Sequence, residues 1–171
     1  MDLFAGFGTA LLACKKLKRK GIGIEYDPFR AAYAAKKSGA KILKGDTEKM
    51  LDFIPANSID FIFSDTPFIG YLYTSGKIIK TERAYVKKIN RVFEKAVEKL
   101  KPNKYIVVGT KNVMYGKTYF PTAHHITTVL LNLGLKPNPE IIWVKKPKTS
   151  HKSRRNVNHY YFLVFRKITR R

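Results

Sequence analysis

Two rhythms of hydrophobic and polar positions alternate along this chain. Short apolar runs at residues 1–4, 21–25, 40–43, 59–64, 105–108, 140–144 and 160–165 predict strands. Between them lie stretches whose apolar residues recur three and four apart, the helical spacing, at 10–20, 29–38, 84–100 and 121–133. In the third of these, Val86, Ile89, Val92, Phe93, Ala96, Val97 and Leu100 share one face. Gly39 and Gly134 stop two helices, and Lys101-Pro102-Asn103 stops a third. Strand alternating with helix at this spacing predicts an α/β fold with a doubly wound, mostly parallel sheet. The last two strands, joined by a long connector, predict an antiparallel hairpin at one sheet edge. Residues 70–83 and 111–119 show little periodicity and read as loops. The chain opens on what reads as the tail of a strand, so the first strand is expected to be truncated.

In open α/β sheets chemistry gathers at the carboxyl ends of strands, and four strand ends here carry polar residues. The run Ile59-Asp60-Phe61-Ile62-Phe63 breaks into Ser64-Asp65-Thr66-Pro67-Phe68. That junction offers an acceptor carboxylate in Asp65, a backbone stiffened by Pro67 and a flat ring in Phe68. The set suits an aromatic amine gripped at its edge and on its face; a plain strand followed by a turn would also use it. Near the start, Ala5-Gly6-Phe7-Gly8-Thr9 leads into a helix, a turn that lets a ligand approach backbone N–H groups. The third glycine of a dinucleotide fingerprint is absent, since position 11 is Leu, and Asp2 stands four residues before Gly6. Glu25 closes the second strand where a carboxylate can accept ribose hydroxyls. Asp27-Pro28 reads as a helix cap and first turn. Asp46, between Gly45 and Thr47, can cap the next helix, accept a purine amino group, or do both.

Charge narrows the partner. The 171 residues hold 34 Lys and Arg against 12 Asp and Glu, a formal +22, and beyond Lys99 the only acid is Glu140. Such a field favours a polyanion, with nucleic acid ahead of an anionic membrane surface or an acidic protein. Residues 70–83 interleave Tyr71 and Tyr73 with Lys77, Lys80 and Arg83, which suits either a substrate-facing loop or a solvated connection. The connector 145–158 carries Lys145, Lys146, Lys148, Lys152, Arg154 and Arg155, a set suited to phosphates or to a solvated tip. The lone Cys14 sits in a helical pattern and leaves no disulfide, and the four histidines lack the spacing of a metal site. No apolar run approaches a membrane span of about 20 residues, and no signal peptide opens the chain. A soluble, cytoplasmic protein of one domain is expected.

Taken in order, these pieces resemble the S-adenosylmethionine-dependent amino-methyltransferases of DNA, which make N6-methyladenine or N4-methylcytosine. Residues 1–9 look like that family's first cofactor motif, Gly23-Ile24-Glu25-Tyr26-Asp27 like its second, and Gly45-Asp46 like its third. Ser64-Asp65-Thr66-Pro67-Phe68 resembles its catalytic motif of Asp, Asn or Ser, two prolines and an aromatic. The similarity runs on through Leu100-Lys101-Pro102-Asn103, Gly134-Leu135, Ile141-Ile142-Trp143-Val144-Lys145 and the final strand. It implies a Rossmann-like methyltransferase domain over 1–171 with a seven-stranded sheet, no separate target-recognition domain, and a partner chain or dimer to complete it. S-adenosyl-L-methionine is the implied cofactor, held by Asp2, Phe4, Gly6, Gly8, Thr9, Glu25, Tyr26, Asp46 and Thr47. Of these Glu25 takes the ribose, Tyr26 lies beside the adenine, Asp46 is near its amine, and Asp2 faces the methionine end. Asp65, Thr66, Pro67 and Phe68 are the implied catalytic set, acting on a base flipped from the stack. Nucleic acid, DNA ahead of RNA, would be met by Lys77, Lys146, Lys152, Arg154 and Arg155. A catalytically weak nucleic-acid-binding subunit is the reading from another class. Methylation at cytosine C5 is disfavoured, because it needs a nucleophilic cysteine. Thr66 stands at the first proline position; it keeps the carbonyl but brings an N–H that must be satisfied.

Overall fold

The strand leading into the Asp65 junction is β3, Ile59–Asp65, and it lies inside the sheet. The structure is a computed structural model and describes residues 1–74, 76–144 and 159–169, with the Thr74 side chain excepted. β3 pairs in parallel with β6, Leu100–Thr110, which pairs antiparallel with β11, His159–Arg166. β11 in turn carries β10, Ile141–Val144, at the edge, which is the expected antiparallel hairpin. On the other side, β1, Ile22–Glu25, and β2, Lys41–Lys44, form a parallel pair.

The N-terminal residues join the two halves. Asp2 makes parallel bridges to both Gly23 and Phe63, through Asp2 N–H to the Ile22 carbonyl at 2.8 Å and Phe63 N–H to the Met1 carbonyl at 2.8 Å. The result is a mixed α/β sheet whose middle is held by a one-residue bridge. Among the described residues six strands stand in the order β2, β1, β3, β6, β11, β10, with the Asp2 bridge between β1 and β3.

The helices fall into two packed groups. α1, Thr9–Lys16, lies on α2, Pro28–Ser38. The short α3, Thr47–Met50, packs on α4, Glu82–Lys99, which packs on α5, Thr122–Asn132. The α4 face carrying Ile89, Val92, Phe93 and Ala96 is buried, as its spacing predicted, in one core with Ile62 and Ile106.

Several boundaries differ from the sequence reading. α1 ends at Lys16 rather than near residue 20, because Lys18 takes a positive φ of 54°. No break separates α4 from β6: Leu100 is already extended and pairs with Ile59, and the register then jumps so that Phe61 pairs with Tyr105. Residues 101–104 are therefore a bulge around Asn103, φ 63°. The two stretches read as loops contain small hairpins, β4–β5 (Tyr73–Thr74 and Lys77–Ile78) and β7–β8 (Val113–Tyr115 and Thr118–Phe120). A further two-residue strand, β9 at Lys136–Pro137, pairs with β11.

Candidate active site

The carboxyl ends of β1 and β3, the glycine turn and the start of α3 open onto one cavity of about 650 Å³. That volume lies inside the ~300–1,000 Å³ range of small-molecule sites. Its lining includes six of the nine expected cofactor residues, Phe4, Gly6, Glu25, Tyr26, Asp46 and Thr47, and all four of the expected catalytic set.

Glu25 organises the glycine turn. It is buried, and its two oxygens accept from Gly6 N–H at 2.7 Å and Asp27 N–H at 2.9 Å. Each carboxylate oxygen can accept a second bond, so the group can hold the turn and still receive two hydroxyls. Gly6, at φ 53°, would have open space around a Cβ, and it faces the cavity. Gly8 does different work. Its φ is 82°, and a Cβ there would come 2.9 Å from that of Ala34, so this glycine permits α1 to touch α2. Gly8 and the exposed Thr9 do not line the cavity; Gly8 lets α1 pack on α2 and Thr9 opens α1.

Asp2 is also off the lining. It is buried beneath the turn with Oδ1 accepting from Phe4 N–H at 3.2 Å, and burial pushes its carboxyl up to about 7. Asp27 caps α2 by accepting from Arg30 N–H at 2.8 Å, as its Asp-Pro pair predicted. Thr47 donates its hydroxyl to the Leu3 carbonyl at 3.0 Å and ties α3 to the first segment. One face of Tyr26 is occupied by Tyr73, whose ring stacks on it at 5.0 Å and 10°.

Asp46 does cap α3, accepting from Glu48 N–H at 2.9 Å. The sequence reading missed its second partner, Lys88 on α4, whose Nζ donates to Asp46 Oδ1 at 2.6 Å and Glu48 Oε2 at 2.9 Å. Lys88 is 6% exposed and lines the cavity. Its position was legible, since it stands three residues after buried Tyr85 and four before buried Val92 on the same face. Both partners use Oδ1 of Asp46, which leaves Oδ2 as the acceptor for a bound group.

At the β3 end, Thr66 resolves the question of its extra donor. Its N–H donates to the Gly109 carbonyl at 3.1 Å, one step beyond the β3–β6 ladder, and its hydroxyl reaches the same oxygen at 3.3 Å. A proline there would lose the ladder bond, and the threonine locks the turn by another route. Pro67 is fixed from below by buried Tyr85, whose hydroxyl donates to its carbonyl at 3.1 Å. Lys111 Nζ lies 5.2 Å from the centre of the Phe68 ring.

Asp65 is exposed, and its Oδ1 accepts from the Tyr160 hydroxyl on β11. Burial and the carboxylate beside it push that hydroxyl well above the ordinary tyrosine range, so it acts as a donor. Gly109 lies between them on β6, where a Cβ would come 3.1 Å from the Tyr160 ring. Nothing local in the sequence marks Tyr160; only the strand order brings it beside Asp65. Lys77 is exposed on β5 and does not line this cavity. Lys146, Lys152, Arg154 and Arg155 lie outside the described residues.

The model of the DNA methylase family, the N6/N4 methyltransferases, matches residues 59–171, two-thirds of the sequence and the whole span from β3 onward. This chain belongs to the DNA methylase family. The matched span includes the Asp65 junction and Tyr160, while the glycine turn precedes it. Among solved structures, a candidate DNA modification methylase from Thermus thermophilus is 22% identical with TM-score 0.60, over 74% of this chain and 52% of that one. The same Thermus protein is also known in complex with S-adenosyl-L-methionine. The chain thus spans about half the length of that relative. A SAM-dependent methyltransferase from Methanosarcina mazei is similar over 99% of this chain and 92% of its own, with TM-score 0.71 at 11% identity. At these identities the likeness establishes the methyltransferase-like α/β fold. Comparison with curated proteins gave no significant match.

Proposed function

We propose that this methylase transfers a methyl group from S-adenosyl-L-methionine to an exocyclic amine of a base in DNA, N6 of adenine or N4 of cytosine. The observation that carries the reading is the opening of Asp65, Thr66, Pro67 and Phe68 onto the same cavity as Gly6, Glu25 and Asp46. We read residues 1–171 as one catalytic domain built on a doubly wound, seven-position sheet, with the Asp2 bridge standing between β1 and β3 and β3 at the central position. A cytoplasmic setting and a partner chain or dimer are carried as further parts of the proposal.

The residues fit the cofactor. Gly6 presents backbone without a Cβ, Glu25 has acceptor capacity for two hydroxyls, and Asp46 Oδ2 can take an amino group. When bound, the cofactor supplies a methyl group on a sulfonium, open to in-line attack. The chain aims the attacking nitrogen. Asp65 accepts one N–H of the base amine through Oδ2 while Tyr160 holds Oδ1, and the Thr66 carbonyl accepts the other. Phe68 takes the face of the base. Alignment of nitrogen and methyl is the main contribution, with no covalent enzyme intermediate.

Asp65→Ala is expected to lower methyl transfer at least 100-fold, with cofactor affinity by calorimetry within about twofold of wild type, since Asp65 holds none of the glycine turn. Full activity in the variant would remove Asp65 from the mechanism. An amine on RNA can enter the same geometry, and the nature of the labelled product separates the two.

A further inference from the structure

Beyond the cavity lies a second, more open depression of about 800 Å³, sharing Phe68, Tyr71 and Lys111 with it. Its remaining wall is built by β7 and the end of β5: Ile78, Lys80, Val113, Met114 and Tyr115, with Ile69 and Gly70 at the floor. The two lysines of this lining meet no acid in it. Its aromatic and apolar faces are open to solvent: Tyr71 is 73% exposed, Ile78 41%, Met114 40% and Tyr115 36%. Tyr115 is seated by Gly70, where φ is 86° and a Cβ would come 2.9 Å from the ring. A glycine in the turn directly after Phe68 therefore lets the β7–β8 hairpin lay a ring beside the catalytic junction.

We infer that this depression is a subsite for the unpaired nucleotide next to the target base, with Tyr71 and Tyr115 as stacking faces and Lys80 and Lys111 as phosphate contacts. Flat exposed rings beside lysines match a strand whose bases are unstacked, whereas a duplex hides its base faces. Continuity through Phe68 and Tyr71 fixes the direction, since a base on Phe68 leaves its neighbour one step along the groove. The inference rests on the proposed nucleic-acid substrate and makes that substrate single-stranded, or locally opened, around the target.

The test is fluorescence anisotropy of the whole chain with a labelled eight-nucleotide mixed-sequence single strand, the same sequence as a duplex, and a polyglutamate peptide. The single strand is expected to bind about tenfold tighter than the duplex, and Tyr115→Ala to lose about tenfold on the single strand alone. Tyr115→Phe restores the affinity, and Lys80→Ala lowers the slope of log affinity against log salt by about one. Equal single-strand affinity of Tyr115→Ala and wild type, tighter binding of the duplex, or tighter binding of polyglutamate overturns the inference. Methyl transfer by the wild type is read separately. Transfer with no Tyr115 effect sinks the subsite alone, whereas a Tyr115 effect without transfer sinks the catalytic reading and leaves the subsite standing.

Discussion

Asp2 and Gly8 show how residues next to a glycine turn can shape it without lining the cavity. Asp2 has a carboxyl pushed from 3.8 to about 7 by burial, so between those values the folded chain keeps a proton that the unfolded chain releases. Its contribution to stability is therefore whole below about pH 4 and is lost as pH rises toward 7. Asp2→Asn is expected to be more stable than wild type at pH 7.5 and to lose that advantage by pH 4, as read by denaturant titration at both values; an equal difference at both would contradict the buried, proton-holding Asp2. Gly8→Ala forces a left-handed φ on a residue with a Cβ and presses it on Ala34. A loss of about 2 kcal/mol is expected, and an unchanged melting temperature would contradict the packing role. The glycine spacing was legible in the sequence; the division of labour between Gly6 and Gly8 was not, because it depends on where α2 lies.

Elements decide which polar groups meet. α3 and α4 are far apart in sequence, yet Lys88 bridges the Asp46 cap and Glu48 with only 6% of its side chain exposed. Removing it leaves two carboxylates facing each other with little water. Lys88→Met is expected to cost about 3 kcal/mol and to weaken cofactor binding, as calorimetry and thermal melting would show; a variant as stable as wild type would mean the pair is dispensable. The helical spacing of α4 could have placed Lys88 on the buried face, but its partner could not be read from spacing. At the other end of α4, Lys167 from beyond β11 donates to the Val97 and Leu100 carbonyls at 2.8 and 2.6 Å. That cation satisfies carbonyls at the helix end, which helps the chain turn straight from helix into strand. α4 does end just before Lys101-Pro102-Asn103, as a proline and a turn residue lead one to expect, but these residues form a bulge inside β6 rather than a loop ahead of it. The β7–β8 hairpin was missed. Its strands are three residues each, too short for alternation to register, although Gly116 with φ 62° marks the turn.

At the scale of the molecule, the order of strands does what no motif does alone. It sets β3 between the glycine turn and β6, and it brings Tyr160 on the antiparallel β11 over Gly109 to Asp65. Core positions, the edge hairpin and most of the cavity lining were legible because each depends on local periodicity or a strand end. Tyr160 and the groove beyond Phe68 were not, because each is made by elements distant in sequence. The formal +22 of the whole chain favours a polyanion as partner without choosing its sequence. The most direct measurement is incubation with S-adenosylmethionine labelled in its methyl group and either DNA or total RNA, followed by nucleoside analysis. Label in N6-methyladenine or N4-methylcytosine of DNA is expected, and its absence with Asp65→Ala. Label confined to RNA, or none from a chain shown by calorimetry to bind the cofactor, would contradict the proposed function.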